Sequence, residues 1–527
     1  MADKAAQLLR RQQELIWQSW ISGKPLEVEQ TYQNTEALFS LESIRRIEKL
    51  RQALIARFQC TLANDGVRLF CSTREGIEQI RAVTYLHMHF VGEYLSRVLE
   101  EQNRAIANLE ASLSFSAKGR EYPYRDLERL LTNENSPETR HGLYLAATRA
   151  ERRLAQSIRR KEEKADRLIQ ELGYPSYQAF GSEMRQVDLT ALAKLADQFL
   201  ERTQPAYQRV LNGLAARELR GSQEKLERSD LVRIFRVRTE VAVSSKELVP
   251  RIDKLLAPLG FRLEGMKNLT IDLSDAPAKS GRPLTLALDA PSDVRISLKP
   301  VGTLRDQTLL LHELGHALPF AFVNDGLGRP GMQKPGLLQH PRFELTQLGN
   351  RTPNEAFARL FEGTFEEPQW FQNQPEVAAE KGSRAVFSAR ARRLFELRRK
   401  AGHLLYELHW RQADPEDAPT LYIQIMSRAY GVPLTPDDAA RYLADREEWF
   451  QSADELRAAF LAEQLRFHMN NQFGAPWWRQ SESGSFLRSL WADGNLFLAD
   501  EVAAQIGESA VEPKALIRRI ENEPLEN

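Results

Sequence analysis

The chain has 527 residues, of which 42% are hydrophobic and 27% charged, and its 72 Lys+Arg balance 72 Asp+Glu. That length exceeds one compact core and suits two or three domains or one large elongated helical body. A net charge of zero argues against a general nucleic-acid binder or an anionic-membrane binder.

The N-terminus, MADKAAQLLRRQQELIWQSW, reads as an amphipathic helix without the apolar core and small-residue cleavage site of a secretion signal. From 1 to 245 the pattern is mostly helical. ALFSLESIRRIEKLRQALIARF and LYLAATRAERRLAQSIRRKEEKADRLIQEL place apolar residues three and four apart with charges between them. Short breaks fall at LANDG, TNENSPE and LGYPSY. The mixed signs of RRLAQSIRRKEEKADR make it a solvated helix face rather than a nucleic-acid patch. Between 246 and 300, NLTIDLS, RPLTLALDA and DVRISLKP alternate apolar and polar residues and predict short strands. From 301 to 527 helices return, interrupted by a Gly/Pro-rich stretch over 324–343 of the kind that forms lids or binding loops. No apolar run reaches the about 18 residues a membrane span needs. Cys60 and Cys71 cannot build a disulfide framework or a cysteine metal site alone, and they read as reduced thiols of a cytoplasmic protein.

The chemistry concentrates in TLLLHELGHALPF. Thr303 and Asp306 predict a capping box that opens a helix just before it. Residues four apart on a helix share a face, so His312 and His316 point the same way and can share one Zn²⁺ per chain. A zinc ion so held lowers the pKa of water toward neutrality, and Glu313 is placed as general base to take the proton. The leucines would bury the remaining faces and keep the site dry. Two half-buried core histidines are the bland alternative.

A catalytic zinc of this kind takes a third protein ligand and leaves a fourth position open. In RTPNEAFARLFEG, Thr352 suits an N-cap and Pro353 the first helical turn. Glu355 is the first choice of ligand, although Thr352 and Glu355 also have the spacing of a capping box. Glu344 and Glu362 compete with it.

These residues resemble a family. AKSGRPLTLALDAPSDVRISLKPVGTLRDQTLLLHELGHA is similar to the active-site block of the thimet oligopeptidase and oligopeptidase F zinc metallopeptidases. EAFARLFE resembles their second zinc helix, which carries the ligand role to Glu355 and a supporting role to Glu362. KADRLIQELGYPSYQAFG and FLRSLWADGNLFLADEVAAQIGE look like other helices of the same superfamily, parts of which the angiotensin-converting-enzyme and Taq-type carboxypeptidase families share. The resemblance implies a mainly α, elongated multi-helix body with a deep substrate channel and a small β-sheet beside the zinc helix. It also implies cleavage of short peptides, whose backbone could add to one of the expected strands. A carboxypeptidase or dipeptidyl carboxypeptidase on the same fold, and a non-catalytic zinc-containing protein that binds a peptide or partner, are the alternatives.

Two features depart from the family. His316 and Glu355 are further apart than usual, and the Gly/Pro-rich stretch accounts for the excess. The family also places a His and several Tyr ahead of its C-terminal helices to hold the developing oxyanion. The corresponding DREEWFQSADELRAAFLAEQLRFH has no Tyr, so Arg457, His468 or Tyr442 would have to substitute, or cleavage is weak or altered. Elsewhere, His87 and His89 in HMH and His403 and His409 are expected to pack rather than bind metal. FGAPWWRQ is expected to anchor a core or loop rather than form a peptide-binding surface.

Overall fold

The computed structural model describes residues 1–24, 26, 35–62, 69–219, 226–236, 242–323, 342–367, 369–372 and 379–522. Most of these are helical, as the apolar spacing predicts. The chain forms two compact units, each assembled from separated segments. The first takes Met1–Tyr94, Thr239–Gly382 and Arg457–Ala515; the second takes Leu95–Arg238, Ser383–Leu456 and Leu516–Asn527.

The first unit holds the three expected strands as one small sheet. We name them β1 (Leu269–Asp272), β2 (Leu284–Asp289) and β3 (Asp293–Ser297). The spatial order is β1-β3-β2, with β3 parallel to β1 and antiparallel to β2. The alternation along β3 assigns its faces. Val294 and Ile296 are fully buried, whereas Arg295 between them turns to the N-terminal helix α1 (Ala2–Ser22). There it pairs with Glu14 at 3.1 Å and lies over the ring of Trp17. α1 is tied to the sheet region again where Trp20 Nε1 donates to the carbonyl of Arg282 at 2.7 Å. Lys279 is buried and donates from Nζ to the carbonyls of Asp272 and Leu298, so the AKSG segment pins the ends of β1 and β3 together.

The motif helix α2 (Leu304–Ala321) packs against the sheet. Its start is strongly fixed. Asp306 is buried and its carboxylate accepts the backbone N–H groups of Val301, Gly302 and Thr303, completing the expected capping box. Leu310, Leu311, Leu314 and Leu318 are fully buried. Helix α3 (Arg351–Glu362) lies against α2. Behind the pair sits an aromatic cluster. Phe261 and Phe322 are 5.4 Å apart, Phe357 and Trp491 5.7 Å, and Phe361 and Trp477 5.7 Å. Trp477 and Trp478 are buried, so FGAPWWRQ anchors the core.

One expectation is overturned in this unit. Cys60 and Cys71 are not reduced thiols; they form a disulfide. The bond joins the flanks of a short antiparallel pair, Thr61–Leu62 with Leu69–Phe70, and part of the expected LANDG break lies outside the described residues. His87 and His89 pack, as expected. They lie on the helix Arg74–Val98, and burial among Phe39, Phe90 and Phe343 pushes His89 down to about 4.

Among its described residues, the second unit is helical and loop apart from one hairpin, Ser114–Ala117 with Arg120–Pro123. TNENSPE and LGYPSY end and restart helices where expected. Its interior is unusually ionic. Asp445 accepts from Arg228, Tyr422 and Tyr430, and its pKa falls well below the carboxylate range: burial opposes ionisation, but Arg228, His403 and Arg441 outweigh it. His403 is buried between Asp445 and Glu447. A cavity of about 200 Å³ in this unit is lined by Arg159, Glu162, Asp166, Trp410, Arg411 and Tyr442 among others.

Candidate metal centre

Two helices build the site. On α2, His312 and His316 are one turn apart, and their Nε2 atoms lie 3.2 Å from each other. On α3, Oε2 of Glu355 lies 3.4 Å from His316 Nε2 and 4.0 Å from His312 Nε2. Among the described residues this is the one group of three or more His, Cys, Asp or Glu side chains that could hold a metal ion. Zinc binds N and O ligands at about 2.0–2.2 Å, so tetrahedral ligands stand roughly 3.4 Å apart. The three separations bracket that value.

The outer partners prepare the imidazoles for this role. His312 Nδ1 donates to Glu362 Oε2 at 3.0 Å, and His316 Nδ1 donates to Asn354 Oδ1 at 2.5 Å. Asn354 closes the contact by donating from Nδ2 to the carbonyl of His316 at 3.1 Å. With Nδ1 of each neutral ring so engaged, both Nε2 atoms present lone pairs to one another. Two lone pairs at that separation call for a cation between them or a proton on one of them. The surrounding charges act in the same sense. Burial works against charge on His312, but the hydrogen bond to Glu362 and the charges of Glu362, Glu355 and Glu313 outweigh it, pushing the pKa up to about 9. Burial and the charge on His312 push His316 down. Burial also disfavours ionised Glu355, but Arg359, His312 and His316 outweigh it and hold the carboxyl below its usual range.

The start of α3 differs from the expectation and leaves Glu355 clear of the cap. The N-cap is Asn350, whose side chain accepts from the N–H of Thr352. Thr352 is therefore already inside the helix, and Glu355 faces the histidines instead of closing a capping box. Glu344 lies on a separate short helix, Phe343–Thr346, beside Arg342, and Glu362 backs His312.

Gly315 explains why the helices approach so closely. A Cβ there would lie 2.4 Å from the Cα of Ala358 on α3 and 2.7 Å from the carbonyl oxygen of Phe357. The helices touch backbone to backbone, and that contact carries Glu355 to the histidines. Glu313 is buried on α2 and accepts from the hydroxyl of Thr285 on β2 at 2.6 Å. Thr285, Asn354 and Arg359 were not singled out from the sequence. Arg359 had a visible signal in its four-residue spacing from Glu355; Thr285 and Asn354 had none.

No known family profile matches the sequence, and no curated protein matches it. Solved structures do. A provisionally assigned oligoendopeptidase F from Bacillus anthracis strain Ames aligns with a TM-score of 0.63 at 14% identity, over 98% of this chain and 89% of that one. PZ peptidase A with an inhibitor aligns at 0.63 and 13%, over 99% of this chain and 90% of that one. A provisionally assigned peptidase from Chlamydophila abortus aligns at 0.57 and 16%, over 93% of this chain and 91% of that one. The chain has the oligoendopeptidase F fold.

The three residues expected to stand in for the family's tyrosines have other contacts in the structure. Arg457 is buried and pairs with Asp500 at 2.9 Å. His468 packs against Phe486 with ring centroids 5.3 Å apart. Tyr442, in the second unit, accepts a hydrogen bond from Arg159. The Gly/Pro-rich stretch lies outside the described residues over 324–341.

Proposed function

We propose that this chain is a zinc-dependent peptidase acting on short peptides. The observation that carries the reading is the convergence of His312, His316 and Glu355 with Glu313 on the adjoining position of the motif helix. The match to oligopeptidase structures over nearly the whole chain supports it.

Zinc, when bound to those three side chains, would supply an acidified water and polarise the substrate carbonyl. Glu313 takes the proton from the attacking water and passes it to the leaving amine. The Thr285 hydroxyl engages one oxygen of Glu313 and leaves the other for that transfer. Glu362 and Asn354 hold the imidazole rings in the tautomer that ligation needs. β2 is an edge strand of the sheet, and Thr285 places it beside Glu313. Substrate backbone pairing along that edge would bring a peptide bond to the site. A carboxypeptidase action on the same site differs only in which peptide bonds are cut.

A second reading, a zinc-containing protein that binds peptides without cutting them, is favoured by one observation. DREEWFQSADELRAAFLAEQLRFH, which corresponds to the stretch where the family carries its oxyanion-holding tyrosines, contains no Tyr. The test is incubation of zinc-loaded protein and its Glu313→Gln variant with a mixed peptide library, read by mass spectrometry. Cleavage by the wild type alone is the expected result. No cleavage by either, with zinc bound in both, would move the assignment to the binding protein.

A further inference from the structure

The inference rests on the metal reading above and deepens it. Oε2 of Glu355 faces the histidine pair, while its other oxygen, Oε1, forms an ion pair with Nε of Arg359 at 2.9 Å. The Arg359 side chain is 16% exposed, so this contact is mostly shielded from water. We propose that Arg359 is a positioning residue that confines Glu355 to ligation through a single oxygen and so keeps the fourth position of the site open.

The chemistry of the three ligands directs attention to Glu355. An imidazole whose Nδ1 is engaged can offer only Nε2. A carboxylate can ligate through one oxygen or two. A second oxygen from Glu355 would occupy the position that a catalytic site leaves for water or substrate. The ion pair with the guanidinium draws Oε1 away from the histidines. An ordinary Glu-to-Arg pair four apart on a helix is a surface feature of small effect. Here the pair is largely buried and engages the oxygen that would otherwise be free to swing in.

Arg359 has two effects that can be separated. Its positive charge weakens the hold on every divalent cation alike. Its geometry discriminates among them. Four-coordinate zinc needs no second oxygen, whereas Mn²⁺ favours octahedral, oxygen-rich coordination and gains from one. The ratio of zinc to manganese affinity therefore reports geometry, because the charge effect is common to both ions and cancels.

The experiment uses the full chain, stripped of metal, as wild type, Arg359→Met, Arg359→Lys and His312→Ala. Zinc and manganese affinities are measured by chelator competition, and coordination is read from the visible spectrum of the Co²⁺ form. We expect Arg359→Met to shift the affinity ratio toward manganese by about tenfold, the scale on which outer partners tune a metal site. Its Co²⁺ bands should weaken as coordination number rises, and Arg359→Lys should fall between. If Arg359→Met does not fold, Arg359→Lys decides alone. An unchanged ratio and spectrum, with one ion still bound, would overturn the proposal and leave Arg359 as a helix ion pair. A wild type that binds metal no better than His312→Ala would overturn the metal reading itself, and this proposal with it.

Discussion

Replacing Gly315 by Ala adds one methyl group at the tightest point between α2 and α3. That carbon would meet the Ala358 Cα at 2.4 Å. Ordinary contact between carbons needs about 3.5 Å, so the helices must separate by about 1 Å. The obstacle is backbone, which cannot rotate away. Overpacking of this kind costs about 1–3 kcal/mol, and the better helix propensity of Ala returns about 1 kcal/mol. The net loss of stability is therefore small. The site suffers more. From 3.4 and 4.0 Å, a 1 Å shift takes the Glu355 oxygen to about 4.4 and 5 Å from the two Nε2 atoms, whereas two ligands at about 2.1 Å from one ion stand at most about 4.2 Å apart. Glu362 and Asn354 recede on the same helix. Zinc affinity should fall by at least about 10–100-fold, while the melting temperature changes by only a few degrees. Chelator competition and a thermal melt of the metal-free protein measure both. A Gly315→Ala variant that binds zinc as tightly as the wild type would refute the claim that backbone contact at this glycine sets the site.

Two further predictions concern regions away from the candidate metal centre. Glu407 accepts the N–H of Phe450 in the second unit, and burial pushes its pKa up to about 7 against the pull of Arg446 and that N–H. A carboxyl raised in the folded state binds more protons there than when unfolded, so its stability contribution is present below about 4.5 and lost as pH rises toward 7. Glu407→Gln should therefore exceed the wild type by about 1 kcal/mol at pH 5 and by about 3 kcal/mol at pH 8; denaturant titrations at both values check this, and equal differences at the two would contradict it. The Cys60–Cys71 bond spans 11 positions, so Cys71→Ser should cost about 3 kcal/mol through the unfolded chain. Disulfides are rare in the cytosol, so two free thiols in protein denatured without reductant would remove the bond and favour the cytoplasmic expectation.

Much of the site was legible because its decisive relations are local. Four-residue spacing on one helix fixes that His312 and His316 share a face, and period-two alternation marks the strands that flank it. The capping role of Asp306 is equally local, since it acts on N–H groups three to five residues away. Glu355 was harder. Its spacing served a capping box as well as a ligand, and only the packing of α3 on α2, with Asn350 taking the cap, turns it to the histidines. Thr285 reaches Glu313 from a strand 28 positions earlier in the chain, so no periodicity connects them. The pairing of Cys60 with Cys71 was likewise missed, because two cysteines alone do not reveal whether their Cα atoms come within bonding reach. By itself, then, the sequence determined which residues could share a helix face and which segments would bury one. Tertiary structure decided which carboxylate joins the two histidines, which groups hydrogen-bond the imidazoles and what pairs with Glu355, because those contacts depend on how closely two helices approach, and Gly315 sets that distance.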